Sequence, residues 1–162
     1  MELMRSIASE WSHRGLVFAP LLFLVFAMPG YAALGGSVSS VESDQAHMKA
    51  ASVQVSRGTS YNVHEIKAAG GTAVREFVSP GGQVFGVAWS GPFRPDLKQV
   101  LGNYYDQFLA AASKNKRASH NAPLNIQEPG LVVQMSGHQR YSVGRAWVPN
   151  MLPQGVQTAE IK

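Results

Sequence analysis

The stretch "REFVSPGGQVFGVAWSGPFRPDL", residues 75–97, decides the fold. Its paired glycines have the look of a phosphate loop, but they lie between two apolar runs, "REFV" and "QVFGVAW". A phosphate loop sets its glycines between a strand and a helix, followed by a lysine and a Ser or Thr. Here the next residue is Gln83. The pattern is that of a tight turn: Pro80 suits the first central position and Gly81 or Gly82 supplies positive φ. Strand alternation then puts Phe85, Val87 and Trp89 on one face, and Val84, Gly86 and Ala88 on the other. A glycine inside a strand, as at Gly86, marks a bulge or the close approach of another element. Arg75 and Glu76, adjacent on a strand, point to opposite faces and form no dyad; a cross-strand ion pair or plain solvation accounts for them.

On the N-terminal side of this stretch, "YNVHEIK" (61–67) and "TAVREFVS" (72–79) are further strands, separated by "AAGG". With "QVFGVAW" they form an antiparallel meander. On the C-terminal side, "RPDLKQVLGNYYDQFLAAAS" is helical: Pro95 and Asp96 mark its start. Leu97, Val100, Leu101, Tyr104, Tyr105, Phe108 and Leu109 form one apolar stripe. "LVVQMS" and "QRYSVGRAWV" make a second hairpin over residues 131–148. The expected fold is α+β: an antiparallel sheet of about five strands in β-β-β-α-β-β order, with one long amphipathic helix on one face.

The chain has 162 residues, 45% of them apolar, enough for one packed domain. Its formal net charge of +4 draws it only weakly to anionic surfaces and disfavours a nucleic-acid role. It has no cysteine, which excludes disulfides, a cysteine nucleophile and thiolate metal sites. Arg5, His13 and Arg14 precede "LVFAPLLFLVFAM", an apolar run of thirteen, and then "PGYA". Charged start, short apolar core and small-residue end are the parts of a secretory signal. Thirteen helical residues reach about 20 Å, short of a bilayer core of about 30 Å. The expected organisation is a signal peptide over residues 1–32, cleaved after Ala32, and a flexible segment over 33–60 with a short helix starting near Ser40. A single α+β domain over 61–152 and a C-terminal tail over 153–162 complete the chain, with no membrane span after processing.

The runs "ALGG", "VREFVSPGGQVFGVAWSGPFRPDLKQVLG" and "LVVQMSGHQRYSVGRAWVPNMLPQGV" resemble a proteobacterial family of small exported proteins known only as a domain of unknown function. The resemblance covers nearly all of the chain after residue 32. It implies a bacterial, exported protein and transfers no activity or catalytic residue.

Candidate chemistry is sparse. His64, His120 and His138 lack metal-motif spacing. Composition leaves a Ser-His-Asp set open, but no G-x-S-x-G elbow follows a strand. Tyr141, Arg145 and Trp147 share one strand face, with Val143 between them, and such a face suits sugars, peptides or single strands. The competing reading makes Trp147 core, with Arg145 lying along its edge. No cofactor or metal is implied. The expectation is a non-catalytic binding or cell-envelope accessory module whose partner is an envelope protein or an anionic or saccharide surface. A small periplasmic hydrolase with an unrecognised site is the alternative. Processing is checked by the intact mass of the protein from an envelope fraction. The expected species begins at Ala33, and a species retaining residues 1–32 would refute it.

Overall fold

The computed structural model describes residues 34–38, 48–115, 122–138 and 140–162. Seven strands form one antiparallel sheet: β1 (Ala50–Arg57), β2 (Asn62–Ala68), β3 (Ala73–Val78), β4 (Val84–Gly91), β5 (Leu124–Glu128), β6 (Leu131–His138) and β7 (Tyr141–Trp147). The order across the sheet is β1-β2-β3-β4-β7-β6-β5, so β4 is central. An 18-residue helical run follows β4, made of α1 (Leu97–Leu101), a 3₁₀ turn (Gly102–Tyr104) and α2 (Tyr105–Lys114). The fold is α+β, as the hydrophobic pattern predicts, with two strands more than expected.

Local chemistry explains the connections. Gly82 N–H donates to the Ser79 carbonyl at 2.9 Å, with Pro80 and Gly81 as the central residues. Gly82 itself has φ +77°, the left-handed region that favours glycine. The β2–β3 turn repeats this geometry, with Gly71 N–H bonded to the Ala68 carbonyl and Gly71 at φ +85°. Asp96 caps the helical run, its side chain accepting from Lys98 N–H at 2.9 Å.

The helical run covers one face of the sheet. Val100, Leu101, Phe108 and Ala111 pack with Ile66, Val74, Val87, Trp89, Val133 and Ala146. Leu109, expected in the apolar stripe, is 46% exposed. The 3₁₀ turn is the reason: three residues per turn in place of 3.6 shift the phase of α2 relative to α1, so Ala111 turns inward in its stead. Leu34 joins this core, its N–H bonded to the Val100 carbonyl at 3.1 Å.

The alternation expected for β4 breaks at Phe85. Phe77 pairs with Gly86 and Val78 with Val84, so Phe85 is the extra residue of a β-bulge. Val84, Val87 and Trp89 therefore face the helix, while Phe85 and Ala88 face the other way. Phe85 packs there with Phe77, Trp147 and Ile161 in a second, smaller core. A Cβ on Gly86 would lie 3.0 Å from Ile161, so this glycine marks both a bulge and a close approach. The segment after β7, expected to be a tail over 153–162, is thus bound to the sheet: Ile161 is fully buried.

β1 and β5 were not expected. β1 lies in the stretch read as flexible, 33–60, and β5 in the polar stretch before residue 131. The expected signal peptide and most of the short helix lie outside the described residues. No helix among the described residues is long and apolar enough to cross a membrane.

The two turn glycines should separate in a thermal melt. Gly82→Ala should lose about 1 kcal/mol or more, because a Cβ is strained at its φ. Gly81→Ala, with no positive φ and only the Ser79 hydroxyl within contact distance at 3.8 Å, should stay within about 0.5 kcal/mol of the parent. Equal melting of both variants would remove the turn assignment.

Candidate functional site

β7 presents Tyr141, Val143, Arg145 and Trp147 on the face opposite the helix, as the two-residue period of a strand requires. Their surroundings differ. Trp147 is buried in the second core. The Arg145 guanidinium lies 5.2 Å from the centre of its ring, a cation–π distance. Arg145 Nε donates to Gln134 Oε1 at 2.8 Å, and Nη1 to the carbonyls of Thr158 and Ile161 at 3.0 and 3.3 Å. Val143 and Tyr141 stay open, Tyr141 at 51% exposure. The three candidate residues thus share a face without forming one patch: Trp147 is core, Arg145 is a clasp, and Tyr141 is surface.

A second clasp stands beside the first. Arg75 Nε donates to Glu65 Oε2 at 2.7 Å across β2 and β3, and its Nη1 donates to the Lys162 carbonyl at 2.9 Å. Arg75 and Glu76 do point to opposite faces, but plain solvation does not account for Glu76, which is buried on the helix side at 1% exposure. Arg75, first of all through its hydrogen bond, holds the Glu65 carboxyl below its ordinary value. At the far end of the segment the Tyr61 hydroxyl donates to Glu160 Oε2 at 2.9 Å, and Gln157 N–H donates to Glu160 Oε1 at 2.8 Å.

Between the two arginines and the β5–β6 edge lies an open cleft of 670 Å³. Its lining includes Ser90, Asn125, Gln134, Ser136, Val143 and Arg145, and Arg75 and Lys162 stand at it as well. The Gly144 backbone also lines it, and the Trp89 indole lies against Gly144 so closely that a Cβ there would overlap the ring. The lining combines amides, hydroxyls and three cations with the apolar side chains of Trp89, Pro123, Leu124, Met135 and Val143, and includes no Asp, Glu or His. Such a set hydrogen-bonds neutral polar groups and attracts anions. Its size falls within the ordinary range of ligand sites, about 300–1,000 Å³.

Sequence reasoning missed Gln134, Asn125 and Lys162. The signal for Gln134 was present: the short connection from His138 to Tyr141 fixes the hairpin register and sets Gln134 opposite Arg145. His64 and His138 are held apart, on β2 and β6, with β3, β4 and β7 between them in the sheet. Among the described residues no group of three His, Asp or Glu is placed to hold a metal ion. His120 lies outside the described residues.

The clasp chemistry sets a pH window. Burial first, then the bond to Glu160 and its charge, raise the Tyr61 phenol above its ordinary 10.0. That contribution is complete below pH 10 and is lost as pH rises through the raised value. Glu160 is held below its ordinary 4.5 by Gln157 N–H first and Tyr61 second. Its contribution, like that of Glu65, is present above that value and lost as pH falls through the depressed one. Melting temperature against pH should therefore fall at both ends. Tyr61→Phe should abolish much of the alkaline fall and leave the Glu65 part of the acid fall. An unchanged alkaline limb would refute this role for Tyr61.

No curated protein and no solved structure matches the chain. A family model does, over residues 30–161, which spans all seven strands and, apart from Lys162, both clasps and the cleft. The chain belongs to that family, described as a protein of unknown function (DUF2844).

Proposed function

We propose that this chain is an exported bacterial binding module, acting at the cell envelope without catalysis, and that it holds a saccharide or an anionic polymer in the cleft beside Arg145. The observation that carries the reading is the lining of that cleft: amides, hydroxyls and three cations set among apolar side chains, Trp89, Leu124, Met135 and Val143 with Pro123. Amide and hydroxyl groups suit sugar hydroxyls, and the cations suit phosphate or carboxylate. The two arginines are already hydrogen-bonded to the C-terminal segment. They are therefore held in place before a ligand arrives, which lowers the ordering cost of binding. The export half of the proposal rests on the charged start, the short apolar run and the "GYA" end of residues 1–32.

Co-sedimentation of the processed protein with isolated cell-wall fragments tests the cleft. Val143→Glu puts a bulky anion on an exposed strand position of the lining. Binding should fall about tenfold, the equivalent of 1.4 kcal/mol, with little change in melting temperature. Retention should also weaken as salt rises. Equal binding by parent and variant would remove the cleft from the proposal, and turnover of the fragments would replace binding by hydrolysis.

A further inference from the structure

β1 is an edge strand, paired only with β2, and seven of its eight residues are exposed. Among the described residues nothing pairs with its outer side. Edge strands are usually blunted by charge, proline or a bulge along the free edge. Residues 52–56 have none of these devices: they read Ser52-Val53-Gln54-Val55-Ser56, the same in both directions. The irregularity in β1 lies before them, between Ala50 and Ser52. Val53 and Val55, at 39% and 44% exposure, stand on one face, and Ser52, Gln54 and Ser56 on the other.

We infer that β1 pairs antiparallel with β1 of a second copy of this chain, about a two-fold axis through Gln54. A two-fold interface must be self-complementary, and the palindrome meets that condition: Val53 faces Val55 of the other copy, Ser52 faces Ser56, and Gln54 faces Gln54. Cross-strand pairs of β-branched residues stabilise such a ladder, and like charges directly opposite destabilise it. Charge selects this register. Lys49 immediately precedes the strand and Arg57 is its last residue. With the axis at Gln54, Arg57 faces Ala51. With the axis at Val53, Lys49 would face Arg57 of the other copy. With the axis at Val55, Arg57 would face Val53 and the Val53–Val55 pairs would be lost. The product is one continuous sheet made of two seven-stranded sheets.

The absence of native cysteine permits a direct test. Opposed residues of an antiparallel pair have Cα atoms about 4.5–5.5 Å apart, within disulfide range. Gln54→Cys should therefore give a disulfide-linked dimer on mild oxidation. Ser52→Cys should not, since the two Ser52 positions fall four residues out of register, about 13 Å apart. Sedimentation of the processed protein should show a monomer–dimer equilibrium. The double variant Val53→Lys with Val55→Lys should be monomeric with a parent-like circular dichroism spectrum. A parent that stays monomeric at every soluble concentration, equal cross-linking at positions 52 and 54, or a dimer that survives the double lysine variant would each overturn the pairing.

Discussion

Phe85 and Gly86 both stand opposite Phe77, and this one extra residue in the central strand lets β4 serve two cores. Without the bulge, Phe85 would stay on the helix face with Val87 and Trp89, and the opposite face would lose the centre of its aromatic cluster. With it, Phe85 meets Tyr61 edge-on at 5.9 Å and lies 6.2 Å from Phe77. Gly86 then leaves the gap into which Ile161 fits. Burying one isoleucine is worth about 1.5–3 kcal/mol. Ordering a backbone residue costs about 1–2 kcal/mol, so Ile161 alone does not hold the segment from Pro153 to Lys162. Leu152 and Val156 pack against the same second core, and the clasps of Arg145 and Arg75 and the Tyr61–Glu160 bond tie the segment down at further points.

The cleft is a consequence of the same arrangement. The C-terminal segment crosses only part of the sheet face, and Lys162 comes to lie at the cleft. Arg75 and Arg145 therefore belong to two structures at once: they hold the segment and they line the cleft. A ligand that drew either guanidinium away from its carbonyl partner would loosen the segment. One that used only the remaining N–H groups would tighten it. Binding at the proposed site would thus be coupled to the order of the C-terminal segment through these two side chains.

Central elements were legible in the sequence because both of their faces are informative. β2, β3, β4, β6 and β7 announce themselves by apolar alternation between glycine turns, and the helix by its stripe. The two strands that escaped notice are the two edges. β1 offers only Val53 and Val55, and β5 only Leu124 and Ile126, so neither carries more than two large apolar residues. The bulge escaped for a different reason: it depends on pairing between strands, which single-strand alternation does not contain. Gly86 was the one residue that pointed to it. Likewise the face shared by Tyr141, Arg145 and Trp147 follows from period two, but their separate fates follow from Ile161, which lies in a segment of no evident pattern.

Pairing through β1 would fix how two clefts face the outside. A two-fold axis normal to the sheet keeps like faces together locally, so in a flat sheet both clefts would open in one direction. Real sheets twist by about 20–25° per strand. From β7 of one copy to β7 of the other is nine strand steps, through β4, β3, β2 and β1 and back. The accumulated rotation is roughly 180–225°, over a span of about 43 Å. The two clefts would then open on nearly opposite sides of the dimer. That geometry does not favour avid attachment to one flat surface, where both sites must be engaged together. It favours a bridge, in which one copy holds a ligand on one side and its partner holds a second ligand on the other.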